Sequence, residues 1–282
     1  MRLLYDEPLS LHTTIGVGGN AKVFAYPETD KELYSLLTGR FFIIGKGSNL
    51  IFTDRGFDGT VICLKRCFDA LIFENTKSNN TVLVRAGGGV SLDKLLVELK
   101  RRGLEGLEFL WGIPGSIGGA CYTNAGAFGT SFLEFAREIK VLSFADNSIT
   151  SYTKDEIKFS YRKGIRSGIV KEILLELKKG NTKERLLEVK KWRYEHQPLR
   201  ERTAGCIFKN PPGDYAGRLI ESAGLKGKRI GGAGISEKHA NFIVNYGGAS
   251  STDILSLIEL AKQRVFKMFA ITLELEVEVV SQ

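Results

Sequence analysis

A glycine-rich stretch between residues 112 and 126 is the part of this sequence best suited to hold a small molecule against the main chain. Gly112 to Ala120 contains four glycines, one proline and no charge, and Asn124-Ala125-Gly126 follows it. Glycine lets backbone N–H groups approach a ligand closely and permits positive φ angles. The stretch therefore suits a diphosphate or a flat ring that touches the main chain, although a tight buried turn has the same composition.

Other glycine clusters favour the ligand interpretation. The segment GKGSNL at 45–50 follows the apolar run 41–44, which predicts a buried strand. Glycine makes up 32 of the 282 residues. Neither this segment nor the one at 112–120 matches GxGxxG or GxxxxGK[ST], so a standard Rossmann site and a P-loop NTPase are disfavoured. Several separate glycine loops suggest one long ligand that is contacted at many points.

The composition is that of a globular, basic protein. No apolar run approaches 18 residues, and the first residues carry no signal-peptide core, so we expect a cytoplasmic protein without a membrane partner. The four cysteines contain no CxxC pair, which argues against a zinc site or a disulfide framework, and we expect no bound metal.

The net charge of +8 is concentrated in one part of the chain. Residues 190–240 contain eleven Lys and Arg against five Asp and Glu. These basic residues are dispersed among glycine, proline and apolar residues, which is more typical of a shaped anion site than of a nucleic-acid-binding arm. We therefore expect an anionic small molecule as the partner, and no nucleic acid.

Apolar periodicity and turn signals predict an α+β architecture with a boundary near residue 180. Ser91 is predicted to cap a helix that Gly103 ends, and further helices are predicted at 182–196, 214–223 and 251–268. The last of these places Ile254, Leu257, Ile258, Ala261, Val265 and Met268 at helical spacing. The segment 271–280 alternates apolar and polar residues and predicts a strand, although alternation alone does not single out one of its glutamates.

Taken in order, the motifs resemble those of the UDP-N-acetylenolpyruvoylglucosamine reductase family. The matching segments are TTIGVGG (13–19), GKGSNL (45–50), GLEFL (106–110) with the 112–126 loop, FSYR (159–162), QPL (197–199), AGCIFKNP (204–211), AGRLI (216–220), GLKG (224–227), IGGA (230–233), SEKHA (236–240) and LEV (275–277). Each motif is weak by itself, but the ordered series covers nearly the whole chain. Its length resembles that of the compact subclass.

The resemblance implies a fold and two cofactors. The fold is α+β, with a two-lobed FAD-binding domain of the vanillyl-alcohol-oxidase (PCMH) type in lobes 1–65 and 66–180, followed by an α+β substrate-binding domain at 181–282. FAD is expected to be bound without a covalent link, and NADPH is expected to reduce it. The implied reaction converts UDP-N-acetylglucosamine enolpyruvate to UDP-N-acetylmuramate, a peptidoglycan precursor, and the enzyme is expected to be a monomer.

The resemblance also implies three catalytic residues. Arg162 occupies the position of a guanidinium that stabilises negative charge on the substrate carboxylate, and Glu276 that of an acid that orients or protonates the enolate. Cys206 stands where the family most often has serine, the donor that protonates C2. A thiol, with an ordinary pKa of about 8.5, is a stronger acid than a hydroxyl, so cysteine is a competent donor.

Ligand-binding residues are expected in two groups. The expected substrate contacts are Lys209, Asn210, Arg218, Lys226 and His239. The expected FAD contacts are Gly45, Lys46, Gly47, Ser48, Asn49, Leu50, Ile113, Pro114, Gly115, Ser116, Gly118, Gly119, Asn124, Ala125 and Gly126. Small residues would let the ring approach, and backbone N–H groups would bind the diphosphate.

Two other functions fit parts of the sequence. One is a flavin oxidase with the same type of FAD domain, against which the set of Arg162, Cys206 and Glu276 argues. The other is a nucleic-acid-binding or other non-catalytic protein that keeps a vestigial flavin fold. Only the basic charge supports it, because no combination of basic and aromatic stacking residues stands out.

Overall fold

The structure, a computed structural model, describes residues 1–76, 80–144 and 146–281. Its helices are α1 (Asp30–Leu36), α2 (Leu92–Arg101), α3 (Ile117–Thr123), α4 (Thr182–His196), α5 (Ala216–Ser222) and α6 (Ser251–Phe269). Its strands are β1 (Arg2–Pro8), β2 (Asn20–Tyr26), β3 (Phe41–Ile44), β4 (Leu50–Phe52), β5 (Phe57–Cys63), β6 (Leu71–Asn75), β7 (Thr81–Gly87), β8 (Leu104–Glu105), β9 (Gly126–Ala127), β10 (Thr130–Ser131), β11 (Ala136–Ser143), β12 (Ile149–Thr153), β13 (Gly168–Lys179), β14 (Arg202–Cys206), β15 (Arg229–Ile230), β16 (Ala233–Ile235), β17 (Phe242–Asn245) and β18 (Glu278–Val280). The first strands form a sheet in the order β1-β2-β5-β3.

The chain divides into two compact units, each assembled from three segments. Unit 1 consists of Met1–Leu3, Ala25–Lys46 and Val61–Trp192. Unit 2 consists of Leu4–Phe24, Gly47–Thr60 and Arg193–Gln282. The division into functional lobes at 1–65, 66–180 and 181–282 stays a prediction, and the compact units follow other boundaries.

Unit 1 is built on an antiparallel sheet in the order β12-β11-β13-β7-β6, and β8 pairs with the end of β13. Helix α2 buries Leu92, Leu95 and Leu99 in the core of this unit, together with residues of β7, β11 and β13. The predicted cap is confirmed, because the Ser91 hydroxyl accepts a hydrogen bond from the N–H of Lys94 at 3.1 Å. The spacing of the leucines therefore predicts both the helix and the face that it buries.

Unit 2 contains the antiparallel sheet β14-β17-β16-β15, on which α6 packs. The residues at helical spacing on α6 are buried from Ile254 to Val265, whereas the last of them, Met268, is 58% exposed. The buried stripe ends one turn before the helix does. Among the described residues, no helix combines the length and the apolar character needed to cross a membrane.

The prediction of one continuous strand at 271–280 is wrong. Only β18 is a strand, paired in parallel with β4, and Leu275 forms an isolated bridge with Phe208. The N–H groups of Glu276 and Val277 converge on the single carbonyl of Ile207, at 2.8 and 3.4 Å. Two donors on one acceptor interrupt the regular ladder of a strand. The segment therefore changes its pairing partner part-way.

Candidate active site

Cys206 and Glu276 lie on neighbouring segments of unit 2. The carbonyl of Ile207, directly after Cys206, accepts a hydrogen bond from the N–H of Glu276 at 2.8 Å. Two residues further on, the N–H of Lys209 donates to the carbonyl of Glu274 at 2.9 Å. Cys206 and Glu276 are each half-buried. A predicted proton donor and a predicted acid are thus held side by side by main-chain hydrogen bonds.

The loop before β4 is attached to the same place. The side-chain amide of Asn49 donates to the carbonyl of Glu276 at 3.0 Å, and the N–H of Glu278 donates to the carbonyl of Asn49 at 3.0 Å. On its other side, a Cβ added to Gly205 would stand 3.9 Å from the carbonyl oxygen of Ser48. The residues of this loop therefore lie beside the segments that carry both catalytic candidates.

The three basic residues predicted to contact the substrate each face a carboxylate within unit 2. The pairs are Lys209 with Glu274 at 3.3 Å, Lys226 with Glu221 at 2.9 Å, and Arg218 with Asp214 through two hydrogen bonds. The Arg218 guanidinium lowers the pKa of Asp214 to about 2. Exposed ion pairs of this kind contribute little to stability, so an incoming diphosphate can compete for the cations.

His239 is held as a neutral imidazole. Its Nδ1 accepts a hydrogen bond from the N–H of Asn241 at 3.2 Å, which places the ring proton on Nε2. Burial lowers the pKa of His239, because the charged form is poorly solvated there. The absence of a side chain at Gly217 leaves room for the ring, since a Cβ there would stand 3.1 Å from its Cε1. His239 is thus suited to donate a hydrogen bond from Nε2.

Asn210, the remaining predicted substrate contact, supports the start of a helix. Its side-chain oxygen accepts a hydrogen bond from the N–H of Ala216, the first residue of α5, at 3.1 Å. This contact fixes the orientation of the amide and satisfies one of the unpaired N–H groups at the helix start. It also explains why the helix predicted from residue 214 begins at Ala216.

In unit 1, Arg162 projects from a tight turn. The N–H groups of Ser160 and Lys163 donate to each other's carbonyls, at 2.9 and 3.0 Å, and Arg162 has a φ of +57°. Its Nη1 donates to the carbonyl of Gly126 at 2.9 Å, and its guanidinium lies 5.0 Å from the ring centre of Tyr161. A non-glycine residue in the left-handed region is strained, so the surrounding contacts must hold it there.

The glycine-rich loop of unit 1 leads into α3 and is packed backbone against backbone. The N–H groups of Ile117 and Gly118 donate to the carbonyls of Val90 and Gly88, at 2.9 and 2.8 Å. The Ser116 hydroxyl accepts from Gly119 at 3.2 Å and caps the helix. These amides are committed to the protein, so Gly118 and Gly119 can serve a ligand by their small size rather than as hydrogen-bond donors.

Comparison with known proteins relates this site to a family. Residues 21–151 match the family model described as FAD binding domain, and residues 197–280 match the model of the UDP-N-acetylenolpyruvoylglucosamine reductase C-terminal domain. The chain is 42% identical to the UDP-N-acetylenolpyruvoylglucosamine reductase of Anoxybacillus flavithermus, over 98% of this chain and 94% of that protein. The chain belongs to the UDP-N-acetylenolpyruvoylglucosamine reductase family.

Further members of the reductase family agree with this assignment. The Bacillus subtilis reductase is 40% identical over 99% of this chain and 94% of its own length. The crystal structure of the reductase from Thermus caldophilus has a TM-score of 0.82 and 38% identity, covering 99% of this chain and 98% of that one. The predicted family and fold class are confirmed, and the chain is a FAD-containing oxidoreductase, as predicted.

The loop at 47–49 has the features needed to hold the diphosphate of FAD in a reductase of this family. No described residue accepts a hydrogen bond from the N–H groups of Gly47, Ser48 or Asn49. Gly47 has a φ of +62°, and a Cβ there would overlap the carbonyl of His12. Successive N–H groups without protein partners, on a backbone that excludes a side chain, form a cradle for a phosphate group.

Asn241 supports the backbone of the candidate site and was not identified from the sequence. It is 2% exposed, and its side chain accepts from the N–H of Phe208 at 2.9 Å and donates to the Phe208 carbonyl at 2.8 Å. Its own carbonyl accepts from the N–H of Ile207 at 2.8 Å. Asn241 therefore clamps the backbone directly after Cys206. The available signal was an asparagine beside the wholly apolar run 242–244, since a buried amide needs partners.

Proposed function

We propose that this chain reduces UDP-N-acetylglucosamine enolpyruvate to UDP-N-acetylmuramate, with NADPH as the source of the hydride. The observation that carries the proposal is the pairing of the Cys206 and Glu276 segments through the 2.8 Å hydrogen bond from Glu276 to Ile207. A proton donor and an acid at adjacent positions match a reduction that must end by protonating a carbon. Both residues lie in the part of the chain that matches the reductase C-terminal model.

Charge stabilisation is the task that we assign to Arg162. When bound, FAD would supply the redox chemistry that passes a hydride from NADPH to C3 of the enolpyruvyl group. Negative charge then develops at C2 and spreads onto the adjacent carboxylate. The guanidinium of Arg162 stays charged and offers a planar fork that matches a carboxylate, so it binds this group and stabilises the added charge.

Proton delivery to C2 is the task that we assign to Cys206. The S–H bond breaks as the C2–H bond forms, and the thiolate regains its proton from solvent. Glu276 acts next to this step. Its carboxyl group orients or protonates the enolate system that forms beside it.

Binding of the rest of the substrate is assigned to the polar residues of unit 2. Lys209, Arg218 and Lys226 release their exposed carboxylate partners to bind the diphosphate, while Asn210 and His239 donate hydrogen bonds. FAD is held by residues of the loops 45–50 and 113–119 and by Ala125 and Gly126, with the N–H groups of residues 47–49 on its diphosphate. The substrate is therefore recognised at both of its charged groups, the carboxylate and the diphosphate.

An anaerobic absorbance titration tests the proposal. The purified protein is expected to show flavin absorbance, to bleach on addition of NADPH, and to recover its colour when UDP-N-acetylglucosamine enolpyruvate is added. UDP-N-acetylglucosamine, which lacks the enolpyruvyl group, is the control and should leave the flavin reduced. Recovery of colour with oxygen alone would support the flavin oxidase instead, and a protein that FAD cannot reconstitute would support the non-catalytic alternative.

The monomeric state and the cytoplasmic location stay predictions. Light scattering of the purified protein at several concentrations tests the first. Fractionation of the cells that produce it tests the second.

A further inference from the structure

We propose that Asn124 is a positioning residue for Arg162. One buried side-chain amide fixes both the turn that carries the guanidinium and the hairpin whose carbonyl receives it. This inference rests on the proposed function, which assigns Arg162 to the substrate carboxylate. It differs from the role expected from the sequence, in which Asn124 contacts FAD.

The first contact of the amide is with the Arg162 turn. Asn124 is 3% exposed, and its Nδ2 donates to the carbonyl of Ser160 at 3.1 Å. Ser160 is one end of the turn that carries Arg162, and two hydrogen bonds between Ser160 and Lys163 close this turn. The next residue, Gly164, donates its N–H to the carbonyl of Tyr122 at 3.1 Å. The turn is thus attached to the end of α3 by the asparagine side chain on one side and by the main chain on the other.

The second contact is with the hairpin β9–β10. The side-chain oxygen of Asn124 accepts a hydrogen bond from the N–H of Leu133 at 3.1 Å, beyond the second strand of the hairpin. Gly126 and Ser131 pair at the base of this hairpin, and the Gly126 carbonyl accepts the hydrogen bond from Arg162. The same amide therefore positions both the backbone from which the Arg162 side chain extends and the carbonyl that accepts the hydrogen bond from its Nη1.

The backbone of Asn124 limits which residues can do this. It ends α3 in the left-handed region, with φ +48° and ψ 62°. Asparagine tolerates this conformation better than most residues, and glycine tolerates it best. An ionised aspartate has the same shape but only accepts hydrogen bonds, so it would set a carboxylate oxygen against the Ser160 carbonyl. Asparagine combines the backbone conformation with one donor and one acceptor.

Two substitutions and a matched control separate these contributions. Asn124→Gly keeps the backbone conformation and removes both side-chain bonds, whereas Asn124→Asp keeps the shape and removes the donor. Asn147→Gly is the control, because Asn147 is exposed and also left-handed, with a φ of +56°. Stopped-flow absorbance then measures flavin reduction by NADPH and reoxidation by the enolpyruvyl substrate separately.

We expect both Asn124 variants to retain FAD and to be reduced by NADPH at the wild-type rate. Reoxidation should slow by about 10- to 100-fold, since a misplacement of about 1 Å has an effect of this size. In Asn124→Asp, the rate relative to wild type should recover as the pH falls, because a protonated carboxyl can again donate to Ser160. Asn147→Gly should match the wild type throughout.

Loss of FAD, or equal slowing of both half-reactions, would overturn the proposal in favour of a cofactor contact. So would a defect in Asn124→Asp that does not change with pH. A second readout needs no substrate: hydrogen exchange of the purified protein should quicken at 160–165 and 126–133 in Asn124→Gly but not in Asn147→Gly, and unchanged exchange in Asn124→Gly would also overturn the proposal. Failure of wild-type protein to be reoxidised would instead refute the proposed function.

Discussion

The side-chain amide of Asn49 donates to the carbonyl oxygen of Glu276 across 3.0 Å. This bond joins the loop at 47–49, whose N–H groups find no acceptor among the described residues, to the segment of the proposed acid. The N–H of Glu278 donates to the carbonyl of the same asparagine. The residue that follows Ser48 in a candidate phosphate cradle is therefore also the residue that holds Glu276 in place. In the proposed site, cofactor binding and acid placement therefore share one residue, which uses its backbone N–H for the first and its side-chain amide for the second.

Asn49→Ala should slow turnover while FAD stays bound. The substitution keeps the backbone N–H groups of the loop but removes the donor to Glu276, which lowers the free energy of unfolding by about 1 kcal/mol. Reoxidation by the enolpyruvyl substrate should slow more than reduction by NADPH. Urea unfolding and stopped-flow absorbance measure the two effects. Loss of FAD with unchanged placement of the acid would contradict this expectation.

Arg162→Met should raise the barrier of the oxidative half-reaction by about 3 kcal/mol, a rate loss of about 100-fold. The cause is the loss of the fixed positive charge that faces the carboxylate. Arg162→Lys is the matched variant, because it keeps the charge but not the planar fork, and it should recover part of the rate. Single-turnover reoxidation measures both. Equal loss in the two half-reactions would place Arg162 outside the chemical step assigned to it.

Iodoacetamide at pH 8 should label Cys206 before the other three cysteines and block reoxidation. Burial raises the pKa of Cys63 and Cys121, and burial with the nearby Asp30 charge raises that of Cys67 to about 11, so these thiols stay protonated. Cys206 is the partly exposed cysteine among them.

Two variants serve as controls for the labelling, which peptide mass spectrometry follows. Cys206→Ser should escape labelling and keep its turnover, because serine is the donor most often found in the family. Cys206→Ala should still be reduced by NADPH but lose turnover. Full turnover in the alanine variant would remove Cys206 from the mechanism.

His239→Gln should flatten the pH dependence of stability below pH 6.5. Burial lowers the pKa of His239 from 6.5, so as the pH falls the unfolded chain binds a proton before the folded chain does. The free energy of unfolding therefore falls with pH in the wild type, and this contribution is absent from the variant. Urea titrations across this range measure it. A slope in His239→Gln equal to that of the wild type would refute the assignment.

Local signals predicted the elements whose ends are set by nearby residues. Helix α4 has the predicted bounds, because a polar turn precedes it and Pro198 follows it, and α6 begins at the predicted residue, because its apolar spacing is a local signal. The same local information failed at 271–280. There the structure depends on whether residues 274–277 pair with the chain after Cys206 or with β4, which the alternation of side chains does not encode.

The candidate site shows the same limit. The ordered motifs predicted Cys206 and Glu276, and the structure places them on adjacent segments. The roles of Asn124 and Asn241 could not be predicted, because each depends on main-chain groups about 10 to 40 residues away in sequence. The sequence signal for such a residue is an asparagine beside an apolar run, because an amide that is buried there needs hydrogen-bond partners.

The assembly of unit 2 from three separate segments has a consequence for exchanging parts between members of the family. The last segment is bound to the first two: Asn245 donates to the carbonyl of Ile15 at 2.9 Å, Thr14 donates to that of Thr203 at 2.7 Å, and β18 pairs with β4. If only residues 193–282 are replaced by those of a relative, each of these contacts would join one partner from the relative to one partner from this chain. A functional chimera must carry 4–24 and 47–60 along with the graft, so unit 2 is exchanged between relatives as three pieces rather than as one.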